Sequence, residues 1–228
     1  MSQAFEIQLA QIRETVLMMY SLTHRQLSLA IKALVERSDE LAARVEAEDG
    51  EIDELEVAID EMVVAYMATH GPVATDCRLM LTASKIGNNL ERVADEATTI
   101  VRRVRELNRE PLLKPLIDIP FMAEIAEKML TDCISSFVEK RLDLAEDVIA
   151  RDKRVDEINR AVARELTRQM IENPKSITRS LNLITITKCI ERIADHAQNI
   201  AEAVIFLWRG KDVRHSHRQS GNAIIDGA

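Results

Sequence analysis

Aromatic residues are nearly missing from this chain: four Phe, two Tyr and one Trp make up 3% of its 228 residues. Sheets draw on aromatic and β-branched side chains, so the shortage weighs against a strand-rich fold. Glycine and proline are also scarce, at six and five. That leaves few turn formers and excludes a fold built from many short elements. The three cysteines, Cys77, Cys133 and Cys189, are far apart and contain no Cys-x-x-Cys. Their odd number and their places in helical apolar patterns point to buried free thiols in a reducing compartment. No run of 18 apolar residues occurs, so no membrane span is expected, and the N-terminus lacks the basic-then-apolar pattern of a signal peptide. The expected location is cytoplasmic. A basic footprint is missing too, because 30 Lys and Arg face 38 Asp and Glu, a formal net charge of −8. This balance argues against nucleic acid as a partner and permits cations and basic proteins.

What the chain has is helix-forming composition, with 46% hydrophobic residues and an abundance of Ala, Leu, Ile, Glu and Arg. It also has an internal repeat. Glu91-Arg92-Val93-Ala94-Asp95-Glu96-Ala97 returns as Glu191-Arg192-Ile193-Ala194-Asp195-His196-Ala197. The apolar positions Ile86, Leu90, Val93, Ile100, Val104 and Leu107 return as Ile186, Ile190, Ile193, Ile200, Val204 and Leu207. Upstream, Asp49-x-x-x-Asp53-Glu54-Leu55 returns as Asp152-x-x-x-Asp156-Glu157-Ile158. A repeat of this kind fixes the architecture before any single element does.

Breaks in the helical periodicity are few. Ser38-Asp39 can cap a second helix, and His70-Gly71-Pro72 stops it. Pro111 to Pro120 holds three prolines and reads as the linker between halves. A break near Arg141–Asp143 and another at Asn173-Pro174-Lys175-Ser176 divide the second half. The expected fold is all-α: six helices of roughly 25–35 residues in two tandem three-helix bundles related by a pseudo-two-fold. The first bundle is expected over 1–109, the linker over 110–120, the second bundle over 121–208, and a polar, flexible tail over 209–228.

Two acids four residues apart share one helix face. At about 100° per residue, Glu91 and Asp95 flank the stripe of Leu90, Val93, Ala94 and Ala97. Asp49 and Asp53 flank the stripe of Ile52, Leu55 and Ile59 on the same rotational side. Asp152, Asp156, Glu191 and Asp195 repeat the arrangement. Two neighbouring helices can thus gather four carboxylates at one bundle edge. Their repulsion favours a bound cation, and all-oxygen ligands suit Mg²⁺, Mn²⁺, Ca²⁺ or iron. The plainer reading of any one pair is a solvated helix face. Recurrence in both copies raises these pairs above that reading, while Glu48, Glu51 and Glu54 show no equally consistent pairing and read as surface charge. Arg92 and Arg192 can simply pair with nearby acids.

Catalytic patterns are lacking. No Glu-x-x-His precedes any histidine, and His-Glu-x-x-His, glycine-rich phosphate loops and Gly-x-Ser-x-Gly are absent. The nine methionines read as core filler, and His215 and His217 as tail residues. His196 is either an ordinary helix residue or a neighbour supporting Asp195; its counterpart Glu96 argues against a ligand role.

In order and duplication these motifs resemble the PhoU family over roughly residues 5–208. Pro72-Val73-Ala74-Thr75-Asp76-Cys77-Arg78 is similar to that family's entry to the third helix, with Cys77 where Leu is usual. Ala94 and Ala194 stand where a glycine is common. The resemblance places the family's metal motif on Asp49, Asp53, Glu91 and Asp95, and again on Asp152, Asp156, Glu191 and Asp195. It implies tandem bundles able to hold clusters of divalent or iron-type ions (Fe, Zn, Mn or Mg). It further implies a non-enzymatic negative regulator of phosphate uptake and phosphate-starvation signalling. The implied partners are the ATPase subunit of the phosphate ABC transporter and a sensor histidine kinase, met at the membrane face. A homodimer is compatible with the long amphipathic helices. The alternatives are a metal-dependent hydrolase and a metal-free helical adaptor.

Overall fold

In a computed structural model that describes residues 3–113 and 118–213, the described residues form six α-helices and no strand. They are α1 (Gln3–Glu36), α2 (Asp39–His70), α3 (Thr75–Asn108), α4 (Asp118–Glu139), α5 (Leu142–Glu172) and α6 (Ile177–Arg209). A single 3-10 turn, Pro174–Ser176, leads into α6. The all-α fold of two tandem three-helix bundles is as the repeat requires. Helices α1–α3 pack as one bundle and α4–α6 as the other.

The bundles meet through α3 against α6, the most extensive helix pair, and α1 against α4. Each of these contacts joins an element to its own repeat, as a pseudo-two-fold demands. The register of α3 on α6 is antiparallel. Thr82 Oγ1 donates to the Ala203 carbonyl at 3.3 Å, Asn89 meets His196 at 3.0 Å, and Glu96 meets Arg192 at 2.7 Å. The axis therefore passes near Val93 and Ile193, where each position faces its own copy. This explains why α3 and α6 bury more of their circumference than α2 or α5, whose buried residues keep to one stripe. Ile86/Ile186, Leu90/Ile190, Val93/Ile193, Ile100/Ile200 and Val104/Val204 are all fully buried. Leu107 is only partly buried while Leu207 is fully so.

The turns within the bundles show how the chain reverses. Ser38 caps α2 by accepting from the Leu41 N–H, and Gly71 ends it with φ +52. Arg37 and Lys140 hold equivalent places between α1 and α2 and between α4 and α5, with φ +54 and +59. Arg37 adds something of its own. Its Nη2 donates to the carbonyls of Leu107, Asn108 and Glu110, at and just beyond the end of α3. Arg78 does the same for α6 through the Leu207 carbonyl at 3.0 Å.

Two boundaries differ from the sequence reading. The linker is shorter than 110–120, because α4 begins at Asp118 and takes in Ile119 and Pro120. Proline fits the first turn of a helix, where its missing N–H has no partner to lose. Residues 114–117 of that linker lie outside the described residues. Helix α4, at 22 residues, is also shorter than the expected range. The polar tail expected over 209–228 lies outside the described residues from position 214 onward.

Ala74, just before α3, has φ +48 and ψ −110 and makes no side-chain cap. That region suits glycine and penalises a Cβ by about 1 kcal/mol. Ala74→Gly is expected to raise the melting temperature by about 2–4 °C, read by circular dichroism. No rise would mean the strain is met elsewhere.

Candidate metal centre

The eight acids named above fall into two clusters, one on the α2–α3 edge and one on the α5–α6 edge. Along each edge the carboxylates feel one another's charge. Burial raises the Asp53 carboxyl above its ordinary range, and the charges of Asp49, Asp95 and Glu56 push it further. Glu91 is pushed up to about 7, first by desolvation and then by Asp95; Arg92 opposes this and Glu56 reinforces it. In the second cluster Asp152 rises to about 6 through desolvation and then Asp156, Glu191 and Glu202. Asp195 rises to about 6 through partial desolvation, then Glu191, Asp152 and Asp156, against the pull of Lys188. Acids on opposite faces would not feel one another in this way.

The donor set fits a hard cation, being all carboxylate oxygen. Asp152 Oδ1 is buried and has no hydrogen-bond partner, which is costly unless something positive approaches it. Glu91 Oε2 and Glu191 Oε2 touch Arg92 and Lys188 as ion pairs without a hydrogen bond's geometry. The oxygens are nonetheless spread out: among the described residues no three acidic, histidine or cysteine side chains form a group that could hold a metal ion as they stand. When bound, a cation would be held by Asp49, Asp53, Glu91 and Asp95, or by Asp152, Asp156, Glu191 and Asp195, and would supply the missing positive charge.

Two acids escaped the sequence reading. Glu56 lies three residues after Asp53 on the same face, a spacing visible in the sequence. Glu202 has Arg102 as its counterpart, so the repeat itself argued against it. With Asp152, Asp156 and Glu146, and with the cationic Lys153 and Arg209, Glu202 lines a cavity of about 650 Å³ between α5 and α6 that Glu191 and Asp195 do not line.

The arginines of the motif part ways. Arg92 stays local, 3.2 Å from Glu91 and 3.1 Å from Asp95. Arg192 crosses to Glu96 of the other half at 2.7 Å. His196 does not support Asp195; its Nδ1 meets Asn89 Oδ1 at 3.0 Å across the α3–α6 seam, and burial lowers its pKa. Of the acids read as surface charge, Glu51 and Glu54 are exposed, while half-buried Glu48 pairs with Arg25 at 3.1 Å. The thiols are ordinary packing groups: Cys133 and Cys189 are buried, and burial raises both well above the usual thiol range. Cys77 is half-buried.

Comparison with known proteins matches the chain to a family in sequence and fold. The PhoU domain model matches residues 16–104 and again 119–204, one match per bundle. A phosphate-specific transport system accessory protein PhoU homolog of Pseudomonas putida is 37% identical over 99% of this chain and 89% of its own length. The homolog of Aquifex aeolicus is 39% identical over 92% of this chain and 95% of its own. The Escherichia coli K12 protein is 33% identical over 94% and 89%. The crystal structure of PhoU from Pseudomonas aeruginosa superposes with a TM-score of 0.89 at 36% identity, covering 91% of this chain and all of that one. The Streptococcus pneumoniae phosphate transport system regulatory protein gives 0.85 at 23% identity over 92% and 99%, a likeness of fold.

Proposed function

The chain belongs to the PhoU family, and from that membership we propose that it is a negative regulator of phosphate uptake and phosphate-starvation signalling. An accessory or regulatory role in phosphate transport is what its relatives' names carry. The finer reading is that it acts by protein contacts rather than by turnover. Its partners are the ATPase subunit of the phosphate transporter and a sensor histidine kinase, met from the cytoplasm at the membrane face. No helix among the described residues is long and apolar enough to cross a membrane, so membrane contact runs through those partners.

The observation that carries the reading is the family match in both bundles, with all eight acids of the repeated pairs present in the chain. Each cluster takes divalent or iron-type ions (Fe, Zn, Mn or Mg) and presents a partly neutralised acidic face to basic partner surfaces. The charge of −8 favours such partners over nucleic acid. The protein acts as a homodimer or as single copies on each partner.

Deletion of the gene is expected to leave phosphate-starvation genes on and uptake unrestrained when phosphate is plentiful. The wild-type chain should restore silencing, and Glu191→Lys should restore it only in part. A deletion strain that silences those genes and limits uptake normally in high phosphate would overturn the assignment.

A further inference from the structure

The two bundles repeat each other in fold but not on their outer faces. Helix α2 carries eleven acids and one arginine, whereas α5 carries eight acids and six Lys or Arg. The contrast is sharpest on one stripe. Val57, Glu61 and Ala65 of α2 stand at the places of Arg160, Arg164 and Arg168 of α5, and all six are exposed. Positions four apart share a helix face. The first stripe is therefore apolar with an acid at its centre, and the second is a row of three guanidinium groups.

We infer that these two faces fit each other, so that α5 of one copy of this chain docks on α2 of the next. The inference concerns how copies join and stands apart from the phosphate and metal readings.

The α2 face is a groove with unanswered charge. Val57, Asp60, Glu61, Val64 and Ala65 line a shallow hollow of about 440 Å³. Val57 and Val64 are exposed, at 56% and 66%. Asp60 Oδ1 accepts from Ser84 Oγ at 2.6 Å, which holds that carboxylate in place. Glu61 makes no ion pair among the described residues.

The α5 face supplies what the groove lacks. Arg160 and Arg164 make no ion pair among the described residues, and Arg168 reaches Glu172 only at 3.9 Å. Glu157 and Glu165 lie on the next stripe, beside Ala161 and toward α4. Ile171, about one turn beyond Arg168, is 77% exposed. Set antiparallel, the two helices bring Ile171 opposite Val57, and the Arg164 and Arg168 guanidinium groups beside Glu61 and Asp60. The arginine stems then lie over Val64 and Ala65.

Like faces do not pair this way. Two α2 faces would set acid against acid, and two α5 faces guanidinium against guanidinium. Among the described residues α2 and α5 of one copy do not touch, since α2 packs on α1 and α3, and α5 on α4 and α6. The pseudo-two-fold sets them on opposite flanks. Docking is thus heterologous: each contact leaves one face open at either end, and association proceeds with concentration unless a ring closes.

The test is sedimentation of the full chain over a range of concentrations, in which the average mass of the wild type is expected to rise. Asp60→Arg with Glu61→Arg, and separately Arg164→Glu with Arg168→Glu, should each raise the dissociation constant by about tenfold or more. The first pair brings the net charge of −8 nearer to zero, so a loss there is not general repulsion. Mixed in equal amounts, the two reversed chains again set acid against base at both faces, and association should return to the wild-type level. Melting by circular dichroism checks that each variant folds, and the single reversals Glu61→Arg and Arg164→Glu replace any pair that does not. A wild-type chain that stays single at every concentration would overturn the inference. So would association indifferent to the reversals, or reversed chains that fail to recover when mixed.

Discussion

Asp132→Ala is expected to destabilise the chain by about 2–4 kcal/mol, a fall of about 5–12 °C in melting temperature for a protein of this size. Asp132 is buried in α4, 6% exposed. Its Oδ1 accepts from Lys128 at 2.8 Å and its Oδ2 from Arg151 at 2.5 Å. Counting from the shared turns, the first bundle has Arg25 and Glu48 at the places of Lys128 and Arg151, and those two form a direct ion pair. In the second bundle the glutamate has become an arginine. Two cations then face each other, and Asp132 is the anion between them. Removing it leaves repulsion as well as lost hydrogen bonds, with Asp147 as the other partner of Arg151.

The effect carries a sign in pH. Burial tends to raise the Asp132 carboxyl, but the hydrogen bonds and charges of Lys128 and Arg151 outweigh it and hold the group below its ordinary value. A lowered folded-state pKa contributes stability that is present above the unfolded value, about 3.9, and is lost as pH falls through the folded one. The gap between wild type and Asp132→Ala should therefore be level from about pH 5 upward and shrink below about pH 4. Urea unfolding at a series of pH values reads both quantities. A gap that widens in acid would show that Asp132 is not held by its cations.

Asp132 also marks the limit of what the sequence discloses. Helix number, the breaks at Ser38, Gly71 and Asn173, and the buried pairs from Ile86/Ile186 to Val104/Val204 were legible, because periodicity and repetition are local signals. The eight acids could be nominated in the same way, since four-residue spacing and recurrence need no tertiary information, and their role as ligands is part of the proposed function. The start of α4 was not legible, because Pro120 reads equally well as linker or as first turn. Asp132 has no acidic counterpart in the first copy, and Glu202 faces Arg102 in the repeat, so a search for what recurs passes over both. The divergence of Arg92 from Arg192 depends on residues 196 and 96 of the opposite half. Only the antiparallel register of α3 on α6 reveals it.

That register also sets the largest expected loss. Ile86 and Ile186 are each 0% exposed, and truncation of such a residue to alanine costs about 2–5 kcal/mol, with the upper half expected in an interior of this density. The pseudo-axis runs near Val93 and Ile193, so α3 and α6 place Ile86 and Ile186 on opposite sides of it. With about 14 positions of helix between them they lie some 20 Å apart, and their costs should add. Ile86→Ala and Ile186→Ala should therefore be nearly equal, about 3–4 kcal/mol each. The double variant should lose about 6–8 kcal/mol, most of the stability a domain possesses. Urea unfolding followed at 222 nm should give one transition in all three. The reason is that α3 and α6 each bury residues against their own bundle and against the other, so neither bundle can open without stripping the seam. Two separate transitions in either single variant would show that the bundles unfold independently and that the seam is a contact between finished domains.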